Sequence, residues 1–155
     1  MITCTFENGG TGNLRHVTVN AIVLKDNKVL LGKRGTHNGK PMTEFGKWGL
    51  LGGYLGLNEN LIQGVTREVM EESGWEIKDV KFIKIFDEPI RHNDDKQNVN
   101  ITFSATAVKQ VSTHDEEVTE LRWFDLNDLP PSDEIAFDHE NILKFYYTTF
   151  SKISC

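Results

Sequence analysis

Residues 60–74, NLIQGVTREVMEESG, place the tightest constraint on the fold. Asn60 is a residue type whose side-chain oxygen caps a helix N-terminus, and Gln63 stands where a capping box closes back on it. Gly74 supplies the left-handed residue on which helices commonly stop. With Leu61 set at 0°, Ile62, Val65, Val69 and Met70 fall on an arc of about 40° to 180° along the helical wheel. A helix with one apolar stripe has to bury it, and this stripe suits a sheet. The chain is therefore predicted to lay this helix on strands.

Strands are readable on both sides of it. Residues 17–24 are rich in β-branched types and are followed, after Asp26-Asn27, by residues 28–31; the pair reads as a hairpin. Residues 48–53 form a short apolar segment ending in Gly52-Gly53, and residues 80–86 and 119–124 read as further strands. From Val99 to Ala107 the types alternate strictly, with Asn100, Thr102, Ser104 and Thr106 opposite the apolar set, which predicts a half-buried antiparallel strand. Residues 139–150 have the apolar spacing of a terminal amphipathic helix. Residues 1–13 read as a loose arm or short edge strand, 35–47 as a long mobile loop, 89–97 as a polar loop and 129–131 as a turn. The expectation is one domain over residues 1–155, α+β or an α/β/α sandwich with a mixed sheet.

The helix carries a second pattern that folding does not need. Glu68, Glu71 and Glu72 fall at roughly 340°, 280° and 20° on the same wheel, with Gly64 at about 300°. Carboxylates three and four residues apart repel one another, and a mid-helix glycine costs about 1 kcal/mol relative to alanine. A hard divalent cation, Mg²⁺ or Mn²⁺, would relieve the repulsion, and the missing side chain at Gly64 would leave room beside it for a phosphate. Taken alone, the stripe also reads as a solvated acidic face. Net charge bears on the choice: 17 Lys and Arg against 23 Asp and Glu give −6, so a basic footprint for nucleic acid is absent. A phosphate-bearing substrate then needs a cation between itself and the protein. Cys4 and Cys155 match no zinc spacing, no apolar run is long enough for a membrane span, and residues 1–13 do not read as a signal peptide. The chain reads as soluble and cytoplasmic.

The wider spacing resolves the ambiguity. Gly53 is followed by five residues, Glu59, seven residues, Arg67-Glu68, Val69, Met70, Glu71-Glu72, Ser73, Gly74 and Trp75. Residues 53–75 resemble the Nudix box at every fixed position, with Trp75 in a place usually taken by an aliphatic residue. Trp48-Gly49-Leu50-Leu51-Gly52-Gly53 is similar to the family's lead-in, with Leu51 where proline is common. The first hairpin and the segment from Glu117 to Pro130 also resemble the family. The resemblance implies a Nudix fold with a catalytic strand–loop–helix and a metal-dependent hydrolase acting on a diphosphate linkage.

It also implies roles. Glu71 and Glu72 correspond to metal ligands, Glu68 to a ligand or a water-activating base, and the Gly52 carbonyl to a ligand from the loop. Arg67 is expected to orient the carboxylates and pair with Glu59, with Gly53 and Gly64 as structural support. Glu117, or else Glu120, is the candidate for a late acidic residue, against the bland reading of an exposed charge in Asp115-Glu116-Glu117. Arg34 is the candidate phosphate contact; Phe45, Trp48, Phe86 and Phe137 are candidates for base stacking, each weighed against ordinary core packing. Ala136-Phe137-Asp138-His139 is similar to a short segment of members acting on ADP-ribose and NAD. The implied substrate is a small-molecule nucleoside diphosphate linked to another moiety, with a modified nucleoside triphosphate as the second choice. A silent ligand-binding regulator and an isopentenyl-diphosphate isomerase are the rival classes; the box is intact, and both cysteines are terminal. A homodimer is a further family expectation.

Overall fold

In the computed structural model, which describes residues 1–89 and 97–150, Asp26 and Asn27 both adopt positive φ, 50° and 61°. That is the geometry of a two-residue turn matched to strand twist. It joins β3 (Val17–Lys25) to β4 (Lys28–Arg34), the hairpin read from the sequence. The N-terminal residues form neither a loose arm nor an edge strand of the main sheet. They make a separate antiparallel hairpin, β1 (Ile2–Thr5) with β2 (Thr11–Leu14).

β3 and β4 pair only over Val23–Lys25 and Lys28–Leu30 and then diverge. The wedge between them is filled by β7 (Trp48–Gly49), which pairs β4, and β8 (Leu51–Tyr54), which pairs β3. Residues 35–47 leading into the wedge are ordered. They contain a small ribbon, β5 (Thr36–His37) with β6 (Lys40–Pro41), and hydrogen bonds from Gly35 and Thr36 N–H to the Glu117 and Glu116 carbonyls. α1 (Leu61–Ser73) begins on Asn60 with the capping box to Gln63 closed and ends on Gly74 at φ 69°.

β9 (Trp75–Phe86) starts immediately after Gly74, earlier than the strand read from the sequence. Residues 90–96, most of the polar loop read at 89–97, lie outside the described residues, as does Cys155. β10 (Val99–Gln110) and β11 (Val118–Asp125) complete the sheet in the order β11-β4-β3-β10-β9. β10 departs from expectation in two respects. It runs antiparallel to β9 but parallel to β3, with Val99 against Val17. Its polar face is also buried: Asn100, Thr102 and Ser104 lie inside along with Ile101 and Phe103. A 3₁₀ turn (Ser132–Glu134) leads to α2 (His139–Phe150).

Each face of the sheet has its own core. On one side Val65 and Val69 of α1 pack on Val19, Ala21, Leu51 and Phe103; on the other Ile142 and Leu143 of α2 pack on Ile22, Leu31 and Trp48. The result is the α/β/α sandwich. The buried face of α1 is shifted from the sequence arc, since Ile62 is exposed while Gly64 and Glu72, outside that arc, are buried. Among the described residues, no helix is long and apolar enough to cross a membrane.

Candidate active site

The acidic stripe of α1 is graded in burial. Glu72 falls between Leu61 and Val65 on the wheel, within the packed face, and is 6% exposed. The Glu68 side chain is 13% exposed and that of Glu71 51%. The glycines of β8 make this possible. Gly52 donates its N–H to Glu72 Oε2 at 2.7 Å. At φ 150°, a Cβ on Gly52 would stand 2.2 Å from the Val19 carbonyl oxygen, so a glycine is required. A Cβ on Gly53 would lie 2.6 Å from the Glu68 carboxylate, which therefore rests against bare backbone. Burial pushes the Glu72 carboxyl well above the ordinary carboxylate range, and does the same more mildly to Glu68. Neighbouring acids add to both, Glu117 among them; the Gly52 amide opposes the rise at Glu72 and the Arg67 guanidinium opposes it at Glu68.

Arg67 gathers the stripe. Its Nε and Nη2 hold the two oxygens of Glu59 at 3.0 and 2.7 Å, its Nη1 reaches Glu68 and Glu71 at 2.9 Å each, and Nη2 also donates to the Tyr54 carbonyl at 3.2 Å. The fork, with the Gly56 N–H donating at 2.6 Å, holds the Glu59 carboxyl down at about 2. Glu59 in turn raises Arg67 further above its already high range. Gly64 does not open a phosphate niche. A Cβ there would meet Leu55 at 2.9 Å and Glu59 at 3.2 Å, so the loop before the helix fills the gap. The glycine serves the Glu59–Arg67 pair.

A second acidic wall comes from residues 115–117. Asp115 and Glu117 line the cleft, whereas Glu116 turns away to accept from Asn38 N–H at 2.7 Å and Thr36 Oγ1 at 3.0 Å. The Asp115 N–H donates to the Glu71 carbonyl at 3.1 Å, tying this loop to α1. Burial and then the nearby Glu117 and Glu71 charges raise the Asp115 carboxyl. Glu117 Oε1 stands 2.7 Å from His37 Nδ1 on the ribbon. Glu120 is elsewhere, on β11 beside Lys33 and Arg122.

These groups share one cleft of about 630 Å³. Arg34 lines it, its Nε donating to the Thr43 carbonyl at 2.7 Å and its guanidinium lying 4.8 Å over the Phe137 ring. Of the proposed stacking residues only Phe137, at φ 53°, faces the cleft. Trp48 is 3% exposed, buried edge-on against Phe124, and is a core residue. Phe45 is exposed but outside the lining, and Phe86 packs against Phe145. His139 is buried and accepts the Leu50 N–H on Nδ1 at 3.0 Å, pinning the 136–139 segment beneath β8.

Sequence reasoning missed the uncharged groups of the cleft lining, Thr18, Asn20, Asn98 and Asn100, and it missed Asp115. Asn100 was assigned to a solvated face because alternation alone cannot show that α2 covers that side. Asp115 was hidden in a charge run; it and Glu117 are brought together by a turn in which the Glu117 N–H donates to Asp115 Oδ1 at 2.9 Å.

The model of the NUDIX domain matches residues 14–146. An ADP-ribose pyrophosphatase from Methanocaldococcus jannaschii is 34% identical over 131 residues, covering 84% of this chain and 72% of that protein. The NAD-capped RNA hydrolase NudC of Pectobacterium carotovorum is 29% identical over 118 residues; the match covers 74% of this chain and 41% of that longer protein. The crystal structure of a NUDIX hydrolase from Nitrosomonas europaea aligns with a TM-score of 0.75 at 26% identity, covering 93% of this chain and 77% of that one. A capped acidic helix clamped by one arginine, the two-glycine strand beneath it and a domain match spanning both cores lead to one conclusion: the chain belongs to the NUDIX domain family and is a Nudix hydrolase.

Proposed function

We propose that the chain hydrolyses the diphosphate linkage of a nucleoside diphosphate joined to another moiety, with ADP-ribose as the model substrate. The observation that carries this reading is one cleft lined by two unlike kinds of group. Glu68, Glu71, Glu72, Asp115 and Glu117 line it together with Arg34 and with the neutral amide and hydroxyl side chains of Thr18, Asn20, Asn98 and Asn100. A diphosphate flanked by uncharged groups has the matching polarity once a cation offsets the carboxylates. The similar Methanocaldococcus jannaschii protein, an ADP-ribose pyrophosphatase, supports the same substrate class.

Nudix hydrolases generally need a divalent metal. The donor set here fits one by its chemistry: hard carboxylate oxygens, one of them on the buried Glu72, which has like charges nearby and an amide hydrogen on only one oxygen. Glu68, Glu71, Glu72 and the Gly52 carbonyl would hold Mg²⁺ or Mn²⁺. Among the described residues, no three acidic, imidazole or thiol groups already stand together as a metal cage. Arg67 draws Glu68 and Glu71 to itself, so an ion competes with its guanidinium for those oxygens. When bound, the cation neutralises the diphosphate and polarises its P–O bonds.

The chain's own groups do the rest. Arg34 orients the phosphates. Glu68 accepts the proton of the attacking water, a role favoured by the raised basicity that burial gives it. Glu117, steadied by His37, is the second acceptor. The test is a hydrolysis screen over diphosphate-linked nucleotides with Mg²⁺. The expected result is ADP-ribose converted to AMP and ribose 5-phosphate, with activity abolished by chelation. Glu72→Gln should cut kcat at least ~100-fold, as for loss of a key electrostatic group. It should also raise Tm without metal, because a buried charge is removed, and it should lose the further rise in Tm that Mg²⁺ gives the wild type. Near-normal turnover by Glu72→Gln, or no hydrolysis of any diphosphate-linked nucleotide, would overturn the reading.

A further inference from the structure

On the α2 side of β3, Asn20 lies opposite Thr102 of β10 and Gly52 of β8. It is 5% exposed and lines the cleft, and its Oδ1 has no hydrogen-bond partner among the described residues. Its polar neighbours are committed to each other: Thr18 Oγ1 donates to Asn100 Oδ1 at 3.2 Å, and Asn100 Nδ2 donates to Thr102 Oγ1 at 3.4 Å. A buried amide left out of such a network lowers stability, so a fold selected only for stability would place an apolar residue here. The position is next to Gly52, whose N–H holds Glu72, and Asn20 and Glu72 line the same cleft.

We propose that Asn20 is a specificity-determining residue that reads an uncharged donor–acceptor edge on the nucleoside half of the substrate, a nucleobase edge or a sugar hydroxyl. This rests on the proposed diphosphate hydrolase reading. A carboxamide presents a donor and an acceptor side by side and carries no charge, so it complements such an edge and adds no charge toward phosphate. Asn20 therefore selects which half of the substrate lies against β3, and the diphosphate falls beside the α1 carboxylates as a consequence.

The test compares wild type with Asn20→Leu, titrated with AMP and with ribose 5-phosphate in Mg²⁺, alongside ADP-ribose hydrolysis. Asn20→Leu should have a Tm no lower than wild type, bind AMP at least ~10-fold more weakly, and raise KM for ADP-ribose by more than it lowers kcat. Ribose 5-phosphate affinity unchanged within about twofold assigns the base edge; an equal loss for both ligands assigns the sugar hydroxyl. If Asn20→Leu fails to fold, Asn20→Ser is read by the same comparison. Unchanged affinity for both ligands, or no binding of either by the wild type, overturns the proposal. A wild type that hydrolyses no nucleotide diphosphate yet loses AMP binding on substitution removes the hydrolase reading and leaves Asn20 standing.

Discussion

Arg67 serves three carboxylates and a carbonyl with one guanidinium, and its strongest claim is on Glu59. That pair makes a pH-dependent contribution whose sign is fixed. Glu59 is held at about 2 when folded, against 4.5 for an ordinary glutamate, so the folded state binds fewer protons between those values. Its stabilisation is complete above about pH 4.5 and disappears as pH falls towards 2. In urea titrations, Glu59→Gln should be less stable than wild type at pH 6, and the gap should close progressively as pH falls through that window. A gap that stays constant from pH 6 to 2 would show that the pair's charge is not what stabilises it. The pairing was legible only through the resemblance to the Nudix box, which implied that Arg67 meets Glu59. The role of Gly64 was not, because a missing side chain does not reveal which neighbour takes the space, and here Leu55 and Glu59 take it.

At the scale of elements, α1 was the most legible piece, since its caps are written in Asn60, Gln63 and Gly74 and depend on nothing distant. The β5–β6 ribbon was not legible. Its strands are two residues long, one contains Pro41, and it is ordered by bonds to residues 116 and 117 far along the chain. The ribbon matters to the site because it carries His37 to Glu117 and brings Thr43 to Arg34. Replacing residues 37–43 with a short Gly-Ser linker should raise KM for the diphosphate substrate or reorder substrate preference. The rise in Tm on adding Mg²⁺ should survive, because α1 is untouched. If kcat, KM and the substrate ranking are all unchanged, the ribbon is a connector and Arg34 is held by other contacts.

For the molecule as a whole, the sandwich could be read from two amphipathic helices and several strands, yet the neighbours within the sheet could not. Alternation reports which face a residue points to and says nothing about which strand lies alongside, so the parallel pairing of β10 with β3 was missed, and with it the burial of Asn100 and Thr102. The second core is as closely buried as the first: Ile142 is fully buried among Ile22, Leu31 and Trp48. Ile142→Ala should cost about 2–5 kcal/mol by urea denaturation although Ile142 does not line the cleft. A loss under about 1 kcal/mol would mean that α2 is dispensable to the sheet. The β3–β10 pairing also sets an order of events during synthesis. The β3–β4 hairpin, β7, β8 and α1 have partners close by in the chain, yet β3 keeps one bare edge until residues 99–106 emerge to cover it. Pairings this distant in sequence are the slow ones. The wall bearing Asn20, Asn100 and Thr102 closes only then, so a nucleotide can select and stabilise the finished chain and has no pocket to enter on a partial one.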